Sequence, residues 1–436
     1  MQIYNLISFF GIFILLGLAW LISSNRKIMN WRLLFWGIAL QMFFACVIFI
    51  FPPGAKVFLW INDIVIKVMG SASAGAEFVF GRLALPPGAT NEAGETSLGF
   101  FLAFQAFPTI IFFSALMSIL YFIGIMPRII KGFACVFTRL MNISGAESIC
   151  ASSNIFVGIE STLTIKPHLE EMTRSELMTV ITVGLATVAS SVLAVYVFTI
   201  QAQFKTIAAH LISASFLSAP AALIMSKMIL PESEVPKTLG ENIQPHYKIE
   251  KNVLEAIING ANVGVRLIVG IVALLIAILG LVSLTDLVLA GIGEKVNAVL
   301  GLGVNWSLTG LLGYIFYPLT LVLGVPLSDA GIISQIIGER MILTELTSYQ
   351  DLAHAMGENL LHHERSAVIC SYALCGFAHV ASLAIFIGGI SAVAPKTTPV
   401  LARIGFRALI AATLACLMTA CIAGMFYTEG SILFGG

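Results

Sequence analysis

Long, nearly uncharged apolar runs restrict this chain more than any other feature. They fall at roughly 4–23, 31–51, 99–125, 175–200, 206–230, 260–290, 368–394 and 404–426. About 20 apolar residues is the helix length that crosses the hydrocarbon of a bilayer, where a spanning segment must satisfy its own backbone. Composition agrees. Hydrophobic residues make up 58% of the chain and charged residues 11%, against roughly 25% charged in soluble domains, so there is too little polar surface to face water. The expectation is an all-α polytopic membrane protein with about eight transmembrane helices. The first run, from Leu6 to Ile22, has no basic residues before it and Arg26, Lys27 and Arg32 after it, and reads as an uncleaved span rather than a signal peptide. A formal net charge of zero gives no electrostatic reason to expect a nucleic-acid partner. None of the seven cysteines forms a CxxC pair, so they read as small core residues rather than zinc or redox sites.

Two apolar stretches, 141–166 and 307–343, are interrupted by Gly, Pro and polar residues. Such segments more often enter the membrane and turn back than cross it, and both are read as re-entrant hairpins. Basic residues mark cytoplasmic loops. Arg26, Lys27 and Arg32, then Arg128, Lys131 and Arg139, then Lys237, Lys248 and Lys251, then Lys396, Arg403 and Arg407 all fall on one side only if neither segment crosses. Both termini then lie outside a cell (inner) membrane. Residues 52–98, with "FPPG" and "LPPGATNEAG", are expected to hold an external amphipathic helix and a loop. The polar stretch from 231, "PESEVPKTLGENIQPHYKIEK", reads as a cytoplasmic linker.

"GLATVAS", Gly184–Ser190, returns as "GFAHVAS", Gly376–Ser382, with five of seven positions identical. Each copy follows an interrupted segment and precedes one more span. The unit is hairpin, broken helix, helix, and the orientation above makes the two copies an inverted repeat, an architecture of secondary transporters. The expected divisions are 1–125 (scaffold spans and the external segment), 126–230 (first transport repeat), 231–306 (linker and long scaffold helix) and 307–436 (second transport repeat).

An ionisable residue at membrane depth is a functional candidate. Glu160 in "SSNIFVGIEST" and Glu345 lead, as acceptors for the hydroxyl or N–H groups of a small polar solute. For Asp329, Glu147 and Glu339 a structural role is favoured, with Glu147 capping a helix and Glu339 pairing with Arg340. Asn154, the carbonyls of Val157 and Gly158, and the Thr187 hydroxyl offer oxygen ligands for a hard cation near a chain break; Asn154 and Thr187 serve equally well to satisfy local backbone. His379 lies in an apolar run opposite Thr187 in the repeat.

These motifs also carry a resemblance. From about residue 95 to 426 the chain resembles the concentrative nucleoside transporters, in "GAESICASSNIFVGIES", "KPHLEEMTRSELMTVITVGLATVASSVLAVYV", "LGYIFYPLTLVLGVPLSDA" and "YALCGFAHVASLAIFIGGISAVAP". The second-hairpin signature G-x-K-x3-N-E-F-V-A-Y stands here as "GERMILTELTSY". The resemblance implies a homotrimer in the bilayer, each protomer moving a transport part against a scaffold and carrying a nucleoside with a coupling cation. It implies sodium ligands at Asn154, Val157, Thr187 and Val188, and no cofactor beyond that ion. It places Glu345 and Ser382 on ribose, and Phe377 and His379 at the "GFAN" positions; Glu160, Ile159 and Val192 complete the substrate-facing set.

The departures concern base reading. The family's first hairpin has G-Q-[ST]-E, whereas here Gly158 is followed by Ile159 and Glu160, one residue short, and the base-reading glutamine is missing. His379 replaces the asparagine, and N-E-F has become Thr344, Glu345, Leu346. Altered base selectivity is expected. The reading is a secondary active symporter for nucleosides or a related ribose-bearing solute, coupled to sodium or, alternatively, to protons through Glu160, Glu345 or His379. An intramembrane enzyme lacks support, since HExxH, GxSxG and paired aspartates on facing spans are absent. A channel or non-transporting sensor is the remaining class.

Overall fold

Capping residues open many of the helices, and glycine, asparagine or proline often marks their ends. The computed structural model describes residues 3–91, 94–247, 250–301 and 305–428. Lys248, one of the orienting charges above, and the side chains of Ile159, Glu160 and Leu300 lie outside the described residues. The chain opens with α1 (Ile3–Leu21) and α2 (Trp31–Ala45), the latter extended by a π-helical turn, Cys46–Ile50. Asn30 caps α2 by accepting from the Leu33 N–H. Then come α3 (Pro52–Phe80), the short α4 (Leu102–Gln105), α5 (Phe107–Phe122) and α6 (Ile125–Met141). On α6 the residues Met126, Ile130, Ala134, Phe137 and Met141 are buried at three- and four-residue spacing, so one stripe faces the core.

The first repeat holds α7 (Gly145–Asn154), a 3-10 run (Ile159–Glu171), α8 (Arg174–Ala186), α9 (Ser190–Ile200) and α10 (Ile207–Ile229). The long α11 (Val253–Leu300) and α12 (Leu308–Val322) separate it from the second. That repeat holds α13 (Leu327–Glu339), α14 (Glu345–Gly357), α15 (Glu364–Leu374), α16 (Val380–Val393) and α17 (Thr398–Phe426). The unit of hairpin, broken helix and helix thus occurs twice, and both copies of the seven-residue motif fall at a break, between α8 and α9 and between α15 and α16. Eight helical stretches among the described residues are long and apolar enough to cross a membrane: Ile3–Leu21, Trp31–Ile50, Pro52–Ala84, Leu102–Phe122, Arg174–Ile200, Ile207–Ile229, Val253–Val299 and Pro395–Phe426.

Some expectations shift and one holds. The stretch from Pro52 is a helix long and apolar enough to cross, not merely a surface element. The run at 368–394, expected as the second broken helix, is α15 and α16 with the break between them. The interrupted segment 307–343 holds α12, which runs through Pro318 to Val322, and α13, packed along it after Gly324 turns the chain at φ +82°; a second turn follows α13, and below the second hairpin means α13 with α14. A proline inside an apolar run reads the same from sequence whether it kinks a helix or ends one.

The core is where the repeats interlock. α17 packs on α1, α8, α10 and α15, and its Ala, Cys and Thr residues are buried along most of its length. α5 and α11 form a separate layer. There, Gly260 and Gly264 let the backbones touch; an added Cβ would sit 2.6 Å from the Ser114 carbonyl oxygen and 2.7 Å from Ile111 Cα. The polar stretch after α10 does not hang free. Gly145 N–H donates to Thr238 O at 2.8 Å, Gly240 N–H to Ile143 O at 3.3 Å and His246 N–H to Thr164 O at 2.7 Å, strapping it over the first hairpin.

Candidate substrate and ion site

The first hairpin begins at a capping box. Ser144 accepts from Glu147 N–H, and the Glu147 carboxylate accepts from Ser144 N–H and pairs with Lys227 at 2.6 Å, so Glu147 serves the fold. The two arms are joined by small polar groups, Cys150 to Ser161 at 3.9 Å and Ser153 to Thr164 at 3.4 Å. α7 ends at Asn154, which is fully buried. Its amide donates to Cys150 O at 3.0 Å and Ser161 Oγ at 2.7 Å, while its Oδ1 has no hydrogen-bond partner. A buried acceptor left unpaired is costly and so points to something that fills the place.

The tip meets the break between α8 and α9. Phe156 O accepts from Ser190 N–H at 3.0 Å and from Ser190 Oγ at 2.5 Å. Thr187, in the break, is buried and donates to Val183 O at 2.9 Å, which leaves its lone pairs available. Val188 beside it is buried as well. Asn154 Oδ1, the Thr187 hydroxyl and the carbonyls of Val157 and Val188 are uncharged oxygen donors carried by the hairpin tip and the break that meet here, the ligand chemistry that suits a hard monovalent cation.

At the second hairpin Thr344 caps α14 by accepting from Thr347 N–H, which puts Glu345 in the first turn. The Glu345 side chain is buried. Its Oε1 accepts from the Tyr196 hydroxyl of α9, and its Oε2 lies 2.9 Å from His379 Nε2. His379 closes the second break as the N-cap of α16, its Nδ1 accepting from Ser382 N–H at 3.3 Å and its Nε2 2.8 Å from Ser382 Oγ. A ring nitrogen that accepts carries no proton, so the neutral ring in this arrangement bears its proton on Nε2, where the hydrogen bond is with Ser382 Oγ; Glu345 Oε2, though near, has no hydrogen-bond partner. Gly376, at φ +135°, permits the break to approach; a Cβ there would be 2.8 Å from the Ala186 carbonyl carbon at the end of α8.

Glu345, Phe377, His379, Ser382 and Val192 line one cavity, with Gly158 from the first hairpin and Tyr196. Its far wall is Phe107 and Ile110 of α5 and Leu267 and Ile271 of α11. The structure therefore brings five of the substrate-facing candidates together. The Ile159 and Glu160 side chains lie outside the described residues. Asp329 accepts from the His362 and His363 N–H groups and from Ser366 Oγ, holding the start of α15. Glu339 does not pair with Arg340: it faces Asp351 on the same hairpin, while Arg340 Nη1 donates to Ala373 O. Tyr196 escaped the sequence reading, because a tyrosine in "AVYV" counts as apolar; its only signal was a buried hydroxyl needing a partner.

A helical membrane protein built on a doubled hairpin and broken helix, with a carboxylate and an oxygen cluster at the junction, is a transporter architecture. Comparison with known proteins agrees. Family models described as Na+ dependent nucleoside transporter N-terminus and C-terminus match residues 10–83 and 210–424, and a nucleoside recognition model matches 103–203. Solute carrier family 28 member 3 of Rattus norvegicus is 37% identical over 97% of this chain and 58% of its own length. This chain thus spans about three fifths of that mammalian relative. The nucleoside permease NupC of Helicobacter pylori is 35% identical, covering 97% of this chain and 98% of its own. The structure of CNTnw in an inward-facing substrate-bound state superimposes with a TM-score of 0.83 at 33% identity, covering 97% of this chain and 98% of that one. The chain belongs to the concentrative, Na+ dependent nucleoside transporter family; the relatives named here are transporters and not enzymes, and this chain's own apolar helices make it a multi-pass membrane protein.

Proposed function

We propose that this protein is a secondary active symporter that takes up nucleosides, or a closely related ribose-bearing solute, coupled to a sodium gradient. The observation that carries this is Glu345: a buried carboxylate held by Tyr196 and His379, facing a cavity, at the point where the second hairpin reaches the broken helix of the first repeat. A carboxylate so held accepts hydrogen bonds from vicinal hydroxyls, and the aromatic and aliphatic walls suit a flat base. Bound at Asn154, Val157, Thr187 and Val188, a sodium ion would draw the first hairpin onto the α8–α9 break and couple ion binding to the shape of the cavity.

On this reading both hairpins are re-entrant and enter from opposite faces, residues 126–230 and 307–436 form the moving part, and residues 1–125 and 231–306 form the scaffold. A homotrimer in the cell (inner) membrane, with both termini outside, completes it; the long apolar α11, largely exposed in one protomer, supports an assembly of this kind. Without the base-reading glutamine, base selectivity differs from that of the family pattern.

The test is uptake of labelled nucleosides by the purified protein in liposomes. Accumulation under an inward sodium gradient is expected, and no uptake of any nucleoside under either a sodium or a proton gradient refutes the proposal. Proton coupling is the second reading, favoured by the His379–Glu345 contact. Unchanged uptake at fixed pH with choline in place of sodium selects it.

A further inference from the structure

The turn of the second hairpin holds a charge that neither the substrate cavity nor the oxygen cluster uses. Arg340 directly follows α13 and has no exposed surface. Its Nη1 donates to Ala373 O at 2.5 Å, while Nε and Nη2 have no hydrogen-bond partner. No carboxylate among the described residues forms an ion pair with it. Ala373 belongs to the last turn of α15, where carbonyls lack intrahelical partners and the helix end is partially negative. The end of α8 comes to the same point. Cys416, whose thiol also lies beside Arg340, donates to Cys375 O at 3.0 Å and sits 3.8 Å from Ala186 O. A buried guanidinium therefore stands where two half-helices terminate.

The first repeat has the same parts in the same order, with one difference. Asn154 ends the first helix of its hairpin, as Arg340 follows the first helix of the other, and each turn abuts the broken helix of its own repeat. Asn154 is neutral, and its buried Oδ1 waits for a partner.

We propose that Arg340 is a tethered counter-cation, which permanently supplies to the second repeat the positive charge that a coupling ion brings to the first. The proposal rests on the reading of Asn154 as part of an ion site. Only the first repeat then exchanges an ion, and uptake depends on sodium with a Hill slope near one. Arg340 acts through the helix ends and not on the substrate, so it is a positioning residue.

The experiment compares Arg340→Lys with Arg340→Gln in liposomes, with initial uptake measured against sodium concentration. Lysine keeps the charge without the planar fork, and glutamine keeps polarity without charge. The lysine variant is expected to retain a large share of uptake with unchanged sodium half-saturation, and the glutamine variant to lose about tenfold or more, as expected when a buried charge is removed from its partners. Equal loss in both variants, including failure of both to fold, overturns the proposal, as does no loss in either. A wild-type Hill slope near two overturns it as well. Wild-type uptake with no sodium dependence sinks the ion-site reading and this proposal with it, whereas sodium-dependent uptake with equal loss in the two variants sinks this proposal alone.

Discussion

The hydroxyl of Tyr196 donates to the carboxylate of Glu345, joining the broken helix of the first repeat to the hairpin of the second. The Tyr196 ring stacks on Tyr349 with centroids 4.9 Å apart, and the Tyr349 hydroxyl donates to Ser371 O at 2.9 Å. The acceptor at the centre of the cavity is thus oriented by residues of both repeats.

Replacing Tyr196 by Phe keeps the stacked ring and deletes one donor to a charged group. Such bonds are worth about 1.5–3 kcal/mol, so half-saturation for nucleoside should rise roughly 10- to 100-fold with the fold intact. Tracer uptake and the melting temperature of the detergent-solubilised protein check this together. Unchanged half-saturation would mean that the contact does not orient the carboxylate.

Glu345→Gln preserves shape and removes the charge. Uptake should fall by about two orders of magnitude or more, since charge-assisted hydrogen bonds are roughly twice as strong as neutral ones and two hydroxyls of one sugar would be affected. Thermal stabilisation by nucleoside should vanish as well; a persisting shift would place the ligand elsewhere.

Asn154→Ala removes the buried unpaired Oδ1 and the two bonds its amide donates. The sodium concentration for half-maximal uptake should rise about tenfold or more, an effect of about 1.4 kcal/mol, while nucleoside binding at saturating sodium changes less. A uniform drop at all sodium concentrations would instead mark a folding defect.

Gly376→Ala tests the approach of the two breaks. At φ +135° an L-residue is strained, and the new Cβ would stand within 3 Å of Ala186 backbone and Cys416 Sγ. Backbone strain of this kind costs about 1–3 kcal/mol before the clash is added. A markedly lower melting temperature is the expected result.

The doubled unit was legible because its signal is local: the repeated heptamer falls at both chain breaks. The turn between α13 and α14 was not legible, because residues 340–344 carry neither Gly nor Pro. Glu339 and Arg340 looked like a pair because they adjoin in sequence, yet neighbours along a helix point in different directions. Tyr196 and the α5–α11 wall lie far from the motifs, and only the folded chain brings them to Glu345.

The strap formed by residues 231–246 limits how far the first hairpin can separate from the long helix. Since His246 is bonded to Thr164 and α11 starts after its cap Asn252, six inter-residue steps connect the two. At about 3.5 Å per step, that tether reaches roughly 20 Å fully drawn out. If the first repeat moves against α11 as proposed, any wider separation of these two points must first peel the strap from its hairpin, so the leash caps their distance whatever the lipid allows.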